Sequence, residues 1–306
     1  MRQAAEEGEA AAGQGETPRR RRRAVACVIG ASATFAVAAA LVKTVAERVP
    51  TIEIVFFRSI IALVALWPMI ARQGGVRTLA TRRPFWHVVR VASGVVGMVT
   101  AFYGYAVLPI ATVTALGFTM PLFLTALSIP LLGEKVGFRR WSAVIVGFGG
   151  VLLILRPGGD GIALIPALIV VFGAFAWAVA MAAIRRMGQL GESNVTIIAW
   201  FSVGGAAVAG LAMIPVWVTP DPRDFALLVA IGIISTAAQL LMTEAYRRAE
   251  ASLVAPFEYV GILWTGLLGF VIWGERLSVW TLAGVAVLVA SGLYILHREV
   301  VRRQAQ

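Results

Sequence analysis

The chain consists of apolar blocks of about 20 residues, separated by short stretches that hold proline, glycine or charge. A helix of that length crosses about 30 Å of hydrocarbon, where the backbone must satisfy its own hydrogen bonds. Ten such blocks are predicted as helices, over residues 24–46, 52–71, 85–107, 110–132, 141–155, 161–183, 194–218, 225–246, 252–273 and 278–297. Composition agrees: 59% of residues are hydrophobic and 14% are charged, against about 25% charged in soluble domains. The expected fold is an all-α integral membrane protein with ten transmembrane helices.

Charge sets the expected topology. With the N-terminus cytoplasmic, the inner segments collect 20 of the 27 basic residues, among them Arg19–Arg23, Arg82, Arg83, Arg139, Arg140, Arg185, Arg186, Arg247 and Arg248. The outer ends hold only Lys43, Arg48, Arg156, Arg223 and Arg276, which is the positive-inside pattern. Both termini are therefore expected inside, at a cell inner (cytoplasmic) membrane. The net charge of +11 is assigned to topology and to anionic lipid at the inner face, with no nucleic-acid partner. Residues 1–23 read as a disordered tail with a basic end, and 299–306 as a second cytoplasmic tail. The apolar run after Arg23 is too long for a signal peptide and is read as a retained first span.

Two stretches repeat at an offset of 141 residues. Tyr105/Tyr246, Val113/Val254, Leu122/Leu263, Gly133-Glu134/Gly274-Glu275, Ile154/Ile295 and Leu155/Leu296 coincide. The repeats are placed at 24–157 and 161–298. Five spans per repeat is an odd number, so the second repeat enters the membrane upside down. The expectation is a 5+5 inverted-topology repeat, a geometry suited to alternating access.

The segment from Phe35 through Lys43 to Pro50-Thr51-Ile52-Glu53 and Phe57-Arg58 resembles the opening of the drug/metabolite transporter superfamily. So do Met120-Pro121-Leu122 through Leu132-Gly133-Glu134, and Leu253-Val254-Ala255-Pro256 through Gly274-Glu275-Arg276. Together they resemble its ten-span EamA branch, with one EamA domain per half. The resemblance implies a carrier of small organic metabolites: an amino acid, vitamin or nucleoside-like compound, or a drug. The Glu53-x-x-x-Phe57-Arg58 opening leans toward the family's riboflavin and S-adenosylmethionine importers.

Ionisable groups inside a membrane cost several kcal/mol and mark cavities or partners. Arg58 and Glu258 are the deepest by helix counting, one from each half, and either meet a substrate or each other. Glu258 would carry a proton if burial raised its pKa. Lys43 and Glu53 are candidates for an outer gate or a plain ion pair. Thr236, Gln239, Thr243 and Tyr246 fall on one helical face, lining a cavity or a helix contact. Tyr105, Trp177 and Trp264 are candidates for stacking on a flat substrate, with an aromatic belt as the alternative. His87 and Arg90 read as a headgroup contact at the inner end of span 3. Gly133-Glu134 and Gly274-Glu275 read as helix terminators, and Ser93, Gly97, Thr100 and Gly104 as a close-packing stripe.

No cofactor or metal site is expected. His87 and His297 stand apart, and Cys27 is the single cysteine. Phosphate-cradling, zinc-protease and serine-hydrolase motifs are absent, so the chain is expected not to be an enzyme. An intramembrane enzyme and a membrane scaffold or receptor stand as alternatives. A monomer that binds a small-molecule substrate is the expected working unit.

Overall fold

A computed structural model describes residues 18–72, 75–132, 137–155, 163–248 and 257–304. Among the described residues there is no strand, as expected of a chain whose apolar residues come in helix-length blocks. The α-helices are α1 (Pro18–Val45), α2 (Thr51–Arg72), α3 (Pro84–Val107), α4 (Ile110–Gly117), α5 (Met120–Leu132) and α6 (Phe138–Leu155), followed by α7 (Leu164–Gln189), α8 (Asn194–Met213), α9 (Pro222–Arg248), α10 (Gly261–Trp273) and α11 (Val279–Gln304). Seven segments are long and apolar enough to cross a membrane: 22–45, 51–72, 84–107, 110–127, 164–189, 195–216 and 222–242. Three shorter apolar helices lie at 141–155, 261–273 and 279–295.

The outward faces are lipid-like. Val64, Ile165, Leu211, Leu263 and Val271 are each more than 65% exposed, and apolar neighbours extend the belt. A soluble monomer does not leave so much contiguous apolar surface in water. This is a multi-span helical membrane protein.

Small residues set how closely the helices approach. Gly97 of α3 faces Gly173 and Trp177 of α7, and a Cβ on Gly97 would lie 3.1 Å from the Gly173 carbonyl oxygen. A Cβ on Gly104 would reach Val170 at 2.5 Å. The stripe on α3 is thus a packing surface. Likewise α6 and α11 cross backbone to backbone: a Cβ on Gly150 would stand 2.8 Å from the Gly284 carbonyl oxygen. Further packed pairs are α1 with α9, α2 with α8, α2 with α9, α3 with α8, α1 with α10 and α5 with α7.

One expected span is broken. The helix over 110–132 stops at Phe118-Thr119 and restarts at Met120. Pro121 has no N–H to continue the ladder, so it sits one residue inside a new helix. The Thr119 hydroxyl donates to the Leu116 carbonyl at 2.7 Å and satisfies part of the freed backbone. A similar turn at Tyr259-Val260 precedes α10. Phe118 and Tyr259, 141 residues apart in sequence, meet edge to face with ring centroids at 4.7 Å.

Candidate functional site

Two groups of charged residues occupy different parts of the bundle. The first lies where α1 and α3 end. Lys43, in the last turn of α1, donates to the Glu275 carboxylate at 2.6 Å and to the Leu108 carbonyl at 3.0 Å. The other Glu275 oxygen accepts from the Ile110 backbone N–H at 3.0 Å, capping the start of α4. Trp273 lies beneath the ammonium, with Lys43 Nζ 5.4 Å from its ring centroid. Glu275 reaches this place because Gly274 adopts φ 66 and ends α10. Gly274 and Glu275 N–H then bond back to Phe270 and Gly269 carbonyls at 2.9 and 3.0 Å. Helix termination at Gly274-Glu275 is as expected; the ion pair made by its carboxylate is an addition. Gly133-Glu134 lies outside the described residues.

The expected partnership of Lys43 with Glu53 does not form. Glu53 is fully buried in the first turn of α2 and turns toward the end of α8, accepting from the Val218 N–H at 3.2 Å. A short connecting loop brings two helix ends near each other without choosing which way their side chains point. Close by, Arg48 forms a two-pronged pair with Asp224 of α9, Nη2 to Oδ1 at 2.6 Å and Nε to Oδ2 at 2.9 Å. That hydrogen-bonded carboxylate raises the Arg48 pKa above its ordinary value.

The second group is central. Arg90 of α3 is 6% exposed, with its guanidinium carbon 3.8 Å from the Phe201 ring centroid and 5.3 Å from that of Trp177. Trp177 and Phe201 themselves meet edge to face at 6.4 Å. Gly94, one turn further along α3, leaves the room: a Cβ there would collide with Arg90 Nη1 and sit 2.7 Å from the Phe201 ring. The Nε and Nη1 of Arg90 are buried and have no hydrogen-bond partner. Arg58 lies on α2, which packs against α3. It is half-buried there, and it forms no ion pair among the described residues.

The headgroup reading of His87 and Arg90 is therefore overturned. His87 is only 3% exposed, stands 3.7 Å from Glu192 and packs beside the Trp200 ring. Glu192 is also held by the Thr81 hydroxyl at 2.6 Å. Among the described residues no ion pair joins Arg58 to Glu258. Glu258 lies at the turn before α10, where its charge acts on the neighbouring Tyr259. Helix counting gave depth along each axis and said nothing about rotation around it.

The remaining candidates are dispersed. Trp177 lies in the central group, against Arg90. Tyr105 packs against two apolar clusters. Trp264 sits within α10 with its indole N–H buried and unpartnered. Gln239 is partly buried on α9, one turn from Thr236, whose hydroxyl donates to the Gly232 carbonyl. Thr243 and Tyr246 lie further along α9, and their side chains fall outside the described part. Among the described residues no cluster of histidine, cysteine or acid could hold a metal ion.

Known proteins resemble this chain along most of its length. An S-adenosylmethionine uptake transporter of Rickettsia bellii is 28% identical over 258 residues, covering 84% of this chain and 87% of its own. A pseudopaline exporter of Pseudomonas aeruginosa is 32% identical over 266 residues, 85% of this chain and 91% of its own. A riboflavin transporter of Vibrio cholerae is 30% identical over 274 residues, 87% of this chain and 91% of its own. A solved crystal structure shares the fold with TM-score 0.62 at 21% identity, over 92% of this chain and 99% of that one. The sequence profile of the EamA-like transporter family matches twice, over residues 22–156 and 164–297, and the chain belongs to that family.

Proposed function

We propose that the protein is a secondary transporter that carries a small organic metabolite across the cytoplasmic membrane by alternating access. It would do so with two inverted halves of five spans each, both termini cytoplasmic, and no enzymatic step. The observation that carries this reading is the correspondence of the halves at the 141-residue offset. The helix ends Arg72 and Met213, Val107 and Arg248, and Leu132 and Trp273 correspond, as do the helix starts Phe138 and Val279. The helix pairs interchange under the same offset. The pair α1–α9 maps onto α7–α3, α1–α10 onto α7–α5, and α2–α9 onto α8–α3. The pairs α2–α8 and α6–α11 map onto themselves, as does the Phe118–Tyr259 contact. A pseudo-two-fold axis in the membrane plane accounts for such exchange, and it gives a protein two arrangements related by exchange of the halves.

The relatives carry an adenosyl amino acid, a flavin and pseudopaline, so the class is small and polar while the individual substrate varies. The direct test is counterflow in proteoliposomes that contain only this protein, with S-adenosylmethionine and riboflavin as first solutes and no ATP. Saturable exchange supports the reading; passive leak alone for every solute overturns it. Topology is tested by single cysteines in a chain whose Cys27 has been replaced. Positions 109 and 221 should label from outside, and positions 75 and 188 from inside.

A further inference from the structure

We propose that Arg58 and Arg90 form an anion subsite that holds a carboxylate of the transported metabolite at the middle of the bundle. The inference rests on the transport reading and narrows its substrate to organic carboxylates. Arg58 is the eighth residue of α2 and Arg90 the seventh of α3, so each lies about 10 Å inside its helix start. The two helices follow one another in the chain and pack together, so the two side chains enter the bundle from opposite ends.

A buried guanidinium is normally matched by an acid, because an uncompensated charge in a low-dielectric interior costs several kcal/mol. Among the described residues no acid pairs with Arg90, and α2, which carries Arg58, packs against α3. Arg90 is more than nine-tenths buried and keeps two nitrogens, Nε and Nη1, without a partner. Phe201 and Trp177 cover its π surface, which leaves the N–H edge for a ligand. A planar carboxylate fits that edge, since guanidinium donors form a flat fork matched to two oxygens. The contrast with Arg48 is direct: that arginine has its carboxylate in the fold, from Asp224. The central pair has none among the described residues, so the anion comes from outside.

The probe is benzoate, with benzamide as its uncharged isostere, titrated into purified protein at constant ionic strength while thermal unfolding is followed. Benzoate should raise the melting temperature of the wild type by about 2–4 °C when it is several-fold above its Kd, and benzamide should not. Arg58→Gln and Arg90→Gln should each abolish the benzoate shift, and Lys43→Gln, outside the subsite, should keep it. Equal shifts with benzoate and benzamide, no benzoate shift in the wild type, or a shift that survives both arginine substitutions would overturn the subsite.

Ligand-free stability gives a second readout. Arg58→Gln removes a half-buried charge that has no acid partner among the described residues, so it should melt at or above the wild type. A fall of several degrees would make Arg58 a structural partner and sink the proposal. The two readings fail separately. Counterflow without a benzoate-specific shift keeps transport and discards the subsite. A benzoate-specific shift without counterflow of any solute keeps the subsite and discards transport.

Discussion

The cations at the end of α1 and those at the centre are handled in opposite ways. Lys43 has a carboxylate, a carbonyl and an indole face around it, and its side chain is 15% accessible. Arg90 is buried more deeply and has aromatic rings but, among the described residues, no acid. Stability alone favours the first arrangement, because a charge removed from water needs a partner. The second arrangement is costly unless something else supplies the anion. The fold invests in electrostatic closure at one place and withholds it at another. The place where it is withheld is where a ligand can be bound with the greatest gain.

The largest effect expected on this contrast comes from Glu275→Ala. It strands a mostly buried ammonium and leaves the Ile110 N–H without an acceptor, so about 2–4 kcal/mol of stability should go. Melting in nanodiscs reads this directly. The double variant Lys43→Met with Glu275→Leu should recover most of the loss, since apolar groups of similar size replace a buried pair at little cost. If Glu275→Ala melts like the wild type, the pair does not hold the bundle and the contrast collapses.

Arg90→Lys sharpens the same contrast from the central side. The charge is kept, while the flat contact with Phe201 and Trp177 and the forked donors are lost. A stability loss of about 1 kcal/mol is expected, together with a fall in counterflow of about tenfold. Full counterflow in this variant would show that a point charge suffices there and that planarity plays no part.

How far these arrangements could be read from sequence depends on the kind of information each needs. Helix length, the apolar belt and the duplication are local or periodic, and the ends of α2, α3 and α6 fall within about two residues of expectation. The break at Phe118-Thr119 has a sequence correlate in Pro121, which lies one residue past the restart at Met120. Partner choice was not legible. Lys43 and Glu275 are 232 residues apart, and only the packing of α1 on α10 brings them together. Arg90 was misassigned because depth was counted from the nearest helix end. Phe201 and Trp177 come from two other helices, and nothing in the α3 sequence announces them. A usable clue was present in Gly94, a small residue one turn from an arginine inside an apolar helix.

Glu53→Gln tests an intermediate case. Glu53 is fully buried, yet only one of its oxygens is bonded, to the Val218 N–H, while Oε1 has no partner. Glutamine keeps that acceptor and removes a poorly compensated charge. The gain in desolvation and the new unpaired amide donors nearly cancel, so a change within about 1 kcal/mol is expected. A loss of several kcal/mol would mean that the carboxylate has a charged role at the α2–α8 contact and belongs with Lys43 and Glu275.

The smallest effect is expected at Arg48–Asp224, although its geometry is the best of all. The reason is exposure: the Arg48 side chain is 42% accessible and its carboxylate partner only 5%. Water already solvates the guanidinium, so breaking the pair returns it to a favourable environment. Asp224→Asn, which leaves the water-accessible guanidinium in place, should therefore lower the melting temperature slightly, and the difference should shrink as salt rises from 0.05 to about 0.5 M, where the Debye length falls well below 10 Å. Under the same salt series the Glu275→Ala difference should barely move, because that pair is largely shielded from the ions. If both differences fade together, Lys43–Glu275 is a surface pair like any other. If neither fades, Arg48–Asp224 is held as tightly as the pair beneath it, and accessibility is the wrong guide to which charges close this end of the bundle.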